Sequence, residues 1–238
     1  MDLEIFDLGL INYFTAWQIQ KEIFKAVKFG FLESSLVICR HNPVITAGRS
    51  AKPGNILASQ ERLRKLGIRI YGIERGGDVT YHGPGQITVY PILNLNLIKK
   101  DLRWFLRQLE ESVIDFLSEF DVKAERRDSL TGVWVDGKKI ASIGIAVKNW
   151  ITFHGLSLNI KKDDLKNFKM IRPCGLNAEM TSLESLLNEK IEIEDVKLSL
   201  ISKIRDTLQS NQGTPIEPIN RVSPYVFGAS LIIGGKDD

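Results

Sequence analysis

Cysteine and histidine are scarce in this chain: two cysteines, Cys39 and Cys174, and three histidines in 238 residues. Two thiols cannot build a disulfide framework, and they show no paired spacing of the kind that holds zinc, so no metal is expected. Long apolar runs are missing too. None approaches the ~20 residues that cross a bilayer, so no membrane segment is expected. Residues 1–10 alternate acidic and apolar side chains with no basic stretch leading into an apolar one; the pattern predicts no secretory signal and makes the cytoplasm the expected location. Charge of one sign is also lacking. The 32 basic and 29 acidic residues leave a net charge of +3, and the basic ones fall in dispersed pairs rather than a stripe interleaved with aromatics, which argues against nucleic acid. A mildly basic face still suits an acidic protein partner.

What is present is an ordinary globular composition, with 43% hydrophobic and 26% charged residues. The length suits one substantial core, so a single domain over 1–238 is expected, with 212–238 as an extended tail. A first strand is read at Leu3 to Leu8, a helix from Asn12 to about Lys28, and a buried strand at Leu36 to Cys39. His41 to Gly54 reads as a loop, Ser59 to Leu66 as a short helix, and Ile68 to Ile73 and Ile87 to Leu97 as strands. Asp101 is a candidate N-cap for a helix whose Leu102, Phe105, Leu106, Leu109, Val113 and Phe116 recur at helical spacing, which marks core. Val133 to Val135 and Lys139 to Val147 form a hairpin about Asp136 and Gly137. His154 to Ile160 adds a strand, Asp164 to Met170 a short helix, and Thr181 with Glu184 a capping box. The last helix covers Glu194 to Leu208. Strands joined by hairpins with inserted helices predict an α+β fold, helices packed on a mixed, largely antiparallel sheet.

The segment Arg75, Gly76, Gly77, Asp78, Val79, Thr80, Tyr81, His82, Gly83, Pro84, Gly85, Gln86 is the densest in special residues. Its glycines allow close backbone approach, and Arg75 and His82 add a fixed charge and a titratable group. It reads as a binding loop for something polar; the alternative is a tight turn whose polar residues face water. Cys174, between Pro173 and Gly175, sits where a turn can present a thiol. On its own it reads as an inert buried thiol rather than a nucleophile, and Lys139 as an ordinary surface lysine. Cys39, inside Leu36, Val37 and Ile38, reads as strand core. His154 is open between a site wall and a core histidine.

Arg75-Gly76-Gly77, then Thr80-Tyr81-His82, Gln86 and Tyr90 resemble the signature of the lipoyl(octanoyl) transferases. Pro43, Val44, Thr46, Gly48 and Arg49 agree upstream. Gly132 to Trp134, Lys139 to Ala141, Ile143, Gly144, His154 to Leu156 and Pro173 to Gly175 follow in the family's order; Asn42 and Leu176 depart from its usual residues. The resemblance implies a biotin/lipoate ligase-like catalytic fold and transfer of an octanoyl group from acyl carrier protein to a lysine of lipoyl domains, in 2-oxoacid dehydrogenases or the glycine cleavage H protein, without a cofactor. It implies Cys174 as nucleophile and Lys139 as its cationic partner, stabilising the thiolate and exchanging protons. It also implies a substrate site lined by Arg75 to His82, Ser142, Ile143, Gly144, Gly155, Leu156 and Ser157. The competing readings are an ATP-dependent lipoate or biotin ligase, which needs no cysteine nucleophile, a non-catalytic module binding lipoyl domains or carrier protein, and a cysteine hydrolase.

Overall fold

A computed structural model of the protein describes residues 3–173 and 178–209. Cys174 and the tail expected over 212–238 lie outside the described residues. The elements in chain order are β1 (Leu3–Ile11), α1 (Tyr13–Lys28), β2 (Ser34–His41), β3 (Val44–Ala47), α2 (Gln60–Lys65), β4 (Arg69–Gly72), β5 (Val79–His82) and β6 (Gln86–Leu93). Then come α3 (Leu102–Ser118), β7 (Glu125–Arg127), β8 (Leu130–Val135), β9 (Lys138–Lys148), β10 (Ile151–Asn159), a 3₁₀ segment at Lys162–Met170, α4 (Leu183–Leu187) and α5 (Ile193–Gln209).

Seven strands form one sheet in the order β1-β2-β6-β10-β9-β8-β7, and three form a second, β4-β3-β5. In the large sheet only β1 and β2 run parallel; its other pairs are antiparallel. In the small sheet β3 is parallel to β4 and antiparallel to β5. The mixed, largely antiparallel α+β architecture is the one expected.

Because strand side chains alternate between faces, Leu36, Ile38, Ile87, Val89, Leu156 and Leu158 form one face of the large sheet, where they pack with α3 and α5. Val37, Cys39, Tyr90 and Ile92 form the other, where they pack with α1. Helix α3 starts as read: Asp101 accepts from the Trp104 amide at 2.9 Å, and Phe105, Leu109, Val113 and Phe116 are fully buried. Leu102, counted in that stripe, is 40% exposed. The β8–β9 hairpin turns at Asp136 (φ 46°) and Gly137 (φ 82°), the paired positive dihedrals that a two-residue turn of this hand requires.

Three local expectations are corrected. The stretch read as a loop from His41 to Gly54 contains β3, since Val44, Ile45 and Thr46 are β-branched and find partners on both sides. The capping box does not form. Ser182 caps α4, accepting from Ser185 N at 3.2 Å, while Glu184 accepts from the Lys162 and Ile191 amides at 3.0 and 3.2 Å and so ties down two connections. A third of the glycine-rich segment, Val79–His82, is strand β5, not loop. No described helix is long and apolar enough to cross a membrane.

Candidate active site

A cavity of about 420 Å³ lies between the small sheet's glycine loop and the large sheet's open face. Its floor is set by strand register. Ser142 on β9 faces Ser157 on β10, Ser157 faces Thr88 on β6, and Thr88 faces Cys39 on β2. One row across four strands is thus made of small side chains. The next row pairs Gly144 with Gly155. Gly144 leaves room for the loop above: a Cβ there would stand 3.0 Å from both Arg75 Cδ and the Gly76 carbonyl oxygen, too close for ordinary contact. Small residues here hold open a slot that larger ones would fill.

The glycine loop forms the roof, and its shape is held by its own charged residues. Arg75 is buried and donates to Thr46 O at 2.8 Å, Thr46 Oγ1 at 3.0 Å and Gly76 O at 3.0 Å. Gly76 N donates to Ile145 O at 2.8 Å, pinning the loop to β9. Asp78 accepts from the Val79 amide at 2.8 Å and from Asn55 Nδ2. Arg75, Gly76, Gly77, Asp78, Val79, Thr80 and His82 all border the cavity, as do Ser142, Ile143, Gly144, Gly155, Leu156 and Ser157. Tyr81 does not. Alternation along β5 turns it to the opposite side, where its ring meets Phe168 and its hydroxyl accepts from Asn167 Nδ2 at 2.8 Å.

Lys139 stands at the entrance of β9 and, unlike an ordinary surface lysine, is 5% exposed. Its ammonium donates to Thr131 O at 2.9 Å and lies 5.3 Å from the Trp134 ring centroid. Gly132 makes this path possible. At φ +133° it adopts a conformation L side chains rarely reach, and a Cβ there would stand 2.5 Å from Lys139 Cε. Pro173 borders the same cavity as Lys139. On the far side of 174–177 the chain is laced to Lys139 itself: Lys139 N donates to Glu179 O at 2.8 Å and Thr181 N to Lys139 O at 3.0 Å.

The other end of the cavity is built from histidine and tyrosine. His154, at φ +57°, is buried, and its Nε2 lies 3.3 Å from Glu74. Burial holds its pKa down, with Glu74 opposing; that contact in turn holds the Glu74 carboxyl down at about 2. His82 is pushed well below the ordinary value, first by burial and then by His41 and Arg75. His41 sits 2.6 Å from the Tyr90 hydroxyl and is lowered by burial to about 4. Tyr13 stacks on His82 with ring centroids 5.9 Å apart. All three rings are therefore neutral near pH 7. Burial drives the Cys39 thiol pKa up, as strand core requires.

Sequence reasoning left several cavity residues out of its site. Tyr90, His154 and Pro173 were in the recognised motifs without being assigned to it. Thr88 is two residues from both Gln86 and Tyr90, so strand alternation could have found it. Tyr13 and Leu106, which also border the cavity, carry no local signal. Leu106 stands on the α3 stripe read as core. Among the described residues no group of three or more His, Cys, Asp or Glu is placed to hold a metal ion.

Comparison with known proteins bears on the family and the fold. Residues 12–205 match the lipoyl protein ligase A/B catalytic domain. An octanoyltransferase of Caldicellulosiruptor saccharolyticus is 45% identical over 199 residues, 82% of this chain and 84% of that one. An octanoyltransferase of Caldicellulosiruptor bescii is 40% identical over the whole of this chain and 96% of its own. Among solved structures, lipoate-protein ligase A bound with ATP superposes with a TM-score of 0.77 at 16% identity, covering 98% of this chain and 95% of that one. The bipartite lipoate protein ligase of Thermoplasma acidophilum gives 0.71 at 14%, covering 98% and 93%. The two superpositions bear on fold, and the sequence matches go further: the chain belongs to the lipoyl protein ligase A/B catalytic-domain family, among its octanoyltransferases.

Proposed function

We propose that this protein is one catalytic domain that moves an octanoyl group from acyl carrier protein to a lysine of lipoyl domains in the cytoplasm, through a thioester on Cys174. The octanoyltransferase relatives support the overall reaction. The observation that carries the mechanism is the placement of the chain around Cys174. Pro173, its covalent neighbour, borders the cavity that Lys139 borders, and the chain beyond 177 is hydrogen-bonded to Lys139 on both sides of its peptide.

In the first half-reaction the Cys174 thiolate attacks the carrier thioester carbonyl and the carrier's thiolate leaves. In the second, the acceptor lysine's amine attacks the new thioester, the Cys174 thiolate leaves, and an amide forms. A nearby ammonium favours the attacking thiolate, and Lys139 is the group that supplies it and then exchanges a proton with the incoming amine. The thioester already stores the driving force, so ATP has no part. The apolar walls of the cavity, among them Val79, Leu106, Ile143, Ile145 and Leu156, suit the acyl chain. Burying its methylenes at about 0.8 kcal/mol each contributes several kcal/mol of binding, and a few hundred Å³ is the usual scale of a small-ligand site.

The test is transfer to a lipoyl domain from octanoyl acyl carrier protein with no nucleotide present. Transfer without ATP is the expected result. A product that forms only when free octanoate and ATP are supplied would make the protein a ligase.

A further inference from the structure

Beside the floor of the cavity, on the same face of the large sheet, a buried chain of side-chain amides runs from β5 to the segment that laces Lys139 in place. Gln86, 1% exposed, donates from Nε2 to Tyr81 O at 3.2 Å and to Asn159 Oδ1 at 3.0 Å. The two residues face each other in the β6–β10 register. Asn159, 5% exposed, then donates from Nδ2 to Thr181 O at 2.9 Å. The orientation of the whole chain is forced. Each end meets a backbone carbonyl, which only accepts, so both amides must present their NH₂ groups there, and the Asn159 oxygen is left for Gln86. From Thr181 the path continues through the backbone, Thr181 N to Lys139 O at 3.0 Å and Lys139 N to Glu179 O at 2.8 Å. Met180 between them pairs with Lys139 as a parallel bridge.

We propose that Asn159, oriented by Gln86, is a positioning residue for Lys139, fixing the strap at 178–181 against which the start of β9 is registered. The proposal rests on the reading of Lys139 and Cys174 given above. Asn159 does not border the cavity and acts only through Thr181. Three features make the arrangement more than ordinary core satisfaction. Among the described residues the strap has no other strand on its outer side in either sheet order, so its register leans on Lys139, on the Asn159 bond and on the Lys138–Glu179 pair. A buried acceptor that loses its only donor side chain costs ~1–3 kcal/mol, enough to move a short strap. A displacement of about 1 Å at a catalytic group costs on the order of a hundredfold in rate.

The experiment compares the parent, Asn159→Leu and Lys139→Ala. It measures the rate of Cys174 alkylation by iodoacetamide against pH, with kcat, KM for octanoyl acyl carrier protein, and thermal melting alongside. Leucine keeps the volume and adds no charge, and it leaves Arg127, over the Trp134 ring, and the Lys138–Glu179 pair unchanged beside Lys139. The expected result for Asn159→Leu is a cooperative melt, KM within about twofold of the parent, and kcat lower by at least about tenfold. Its alkylation midpoint is expected to rise by half a pH unit or more, in the same direction as Lys139→Ala. A lower melting temperature with the parent's kcat and midpoint would reduce Asn159 to a core residue and overturn the proposal. A midpoint that even Lys139→Ala leaves unmoved would remove the Lys139 reading and the proposal with it. Gln86→Leu, which touches neither Thr181 nor Lys139, carries the same test if Asn159→Leu does not fold; failure of both to fold would also overturn it.

Discussion

The two ends of the cavity are built on opposite principles. Lys139 and Ile145, which faces His154, are six residues apart on β9, roughly 20 Å at strand rise. At one end a lysine is led inward past Gly132 and kept close to the chain that carries Cys174. At the other, His82 and His154 border the cavity with His41 packed behind His82; burial holds all three uncharged, and they contact threonine, glutamate and tyrosine neighbours. On the proposed mechanism, reaction falls to the lysine end and shape to the histidine end, with the serine, threonine and glycine floor between them as the proposed room for an acyl chain.

The largest effect should come from the lysine end. Cys174→Ala is expected to abolish transfer, and Lys139→Ala to lower kcat by about 10²–10⁴, the usual worth of positioned acid–base catalysis, while leaving thermal melting nearly unchanged. Equal losses of kcat and folding in Lys139→Ala would break the contrast.

Gly132→Ala should follow. The new methyl meets Lys139 Cε and the Ala141 carbonyl oxygen at a dihedral that alanine resists, a strain of about 1–3 kcal/mol that is relieved by displacing Lys139. Activity is expected to fall further than stability, read by kcat beside a melt.

Filling the floor tests the room between the ends. Ser157→Leu should raise KM for octanoyl donors by tenfold or so, the loss of one or two methylenes' worth of burial, and shift preference toward shorter acyl chains. An unchanged chain-length profile would separate the floor from acyl binding.

The histidine end should announce itself through acid sensitivity. A buried histidine whose folded pKa is depressed binds fewer protons than it does in the unfolded chain, so stability is complete above the unfolded value near 6.5 and is lost as pH falls toward the folded one. For His41, lowered to about 4, the window is pH 6.5 down to 4 and the loss is about 3 kcal/mol. His82 and His154 shift in the same direction. Urea midpoints measured across that window should fall steeply, and His41→Gln should flatten the slope. The smallest effect is expected from Tyr81→Phe, which removes the hydroxyl contact with Asn167 and costs ~0.5–1.5 kcal/mol of stability with KM unchanged.

Much of this architecture is legible along the chain because most of its elements announce themselves locally. Asp101 with the α3 stripe, and Asp136-Gly137 between two apolar runs, carry their own caps and turns. The misses share one cause, which is that partners distant in sequence decide the outcome. Strand β3 is four residues flanked by Pro43 and Gly48 and becomes a strand only through β4 and β5 on either side. The three residues of β7 have no apolar alternation and exist by pairing with β8. Glu184 stands at capping-box spacing yet is taken by two amides outside its helix. In the site the glycine loop is conspicuous, but alternation within it removes Tyr81 and the fold adds Leu106, Tyr13 and Thr88. Burial of Lys139 could not be read from its exposed-looking neighbours Gly137 and Lys138.

The most direct test of the account is the intact mass of the protein after brief mixing with octanoyl acyl carrier protein in the absence of ATP. An added octanoyl group that hydroxylamine removes, present in the parent and absent from Cys174→Ala, is the predicted result. Turnover to octanoylated lipoyl domain by Cys174→Ala, or an adduct retained in it, would contradict the thioester at Cys174 and with it the division of the cavity into a reacting end and a shaping one.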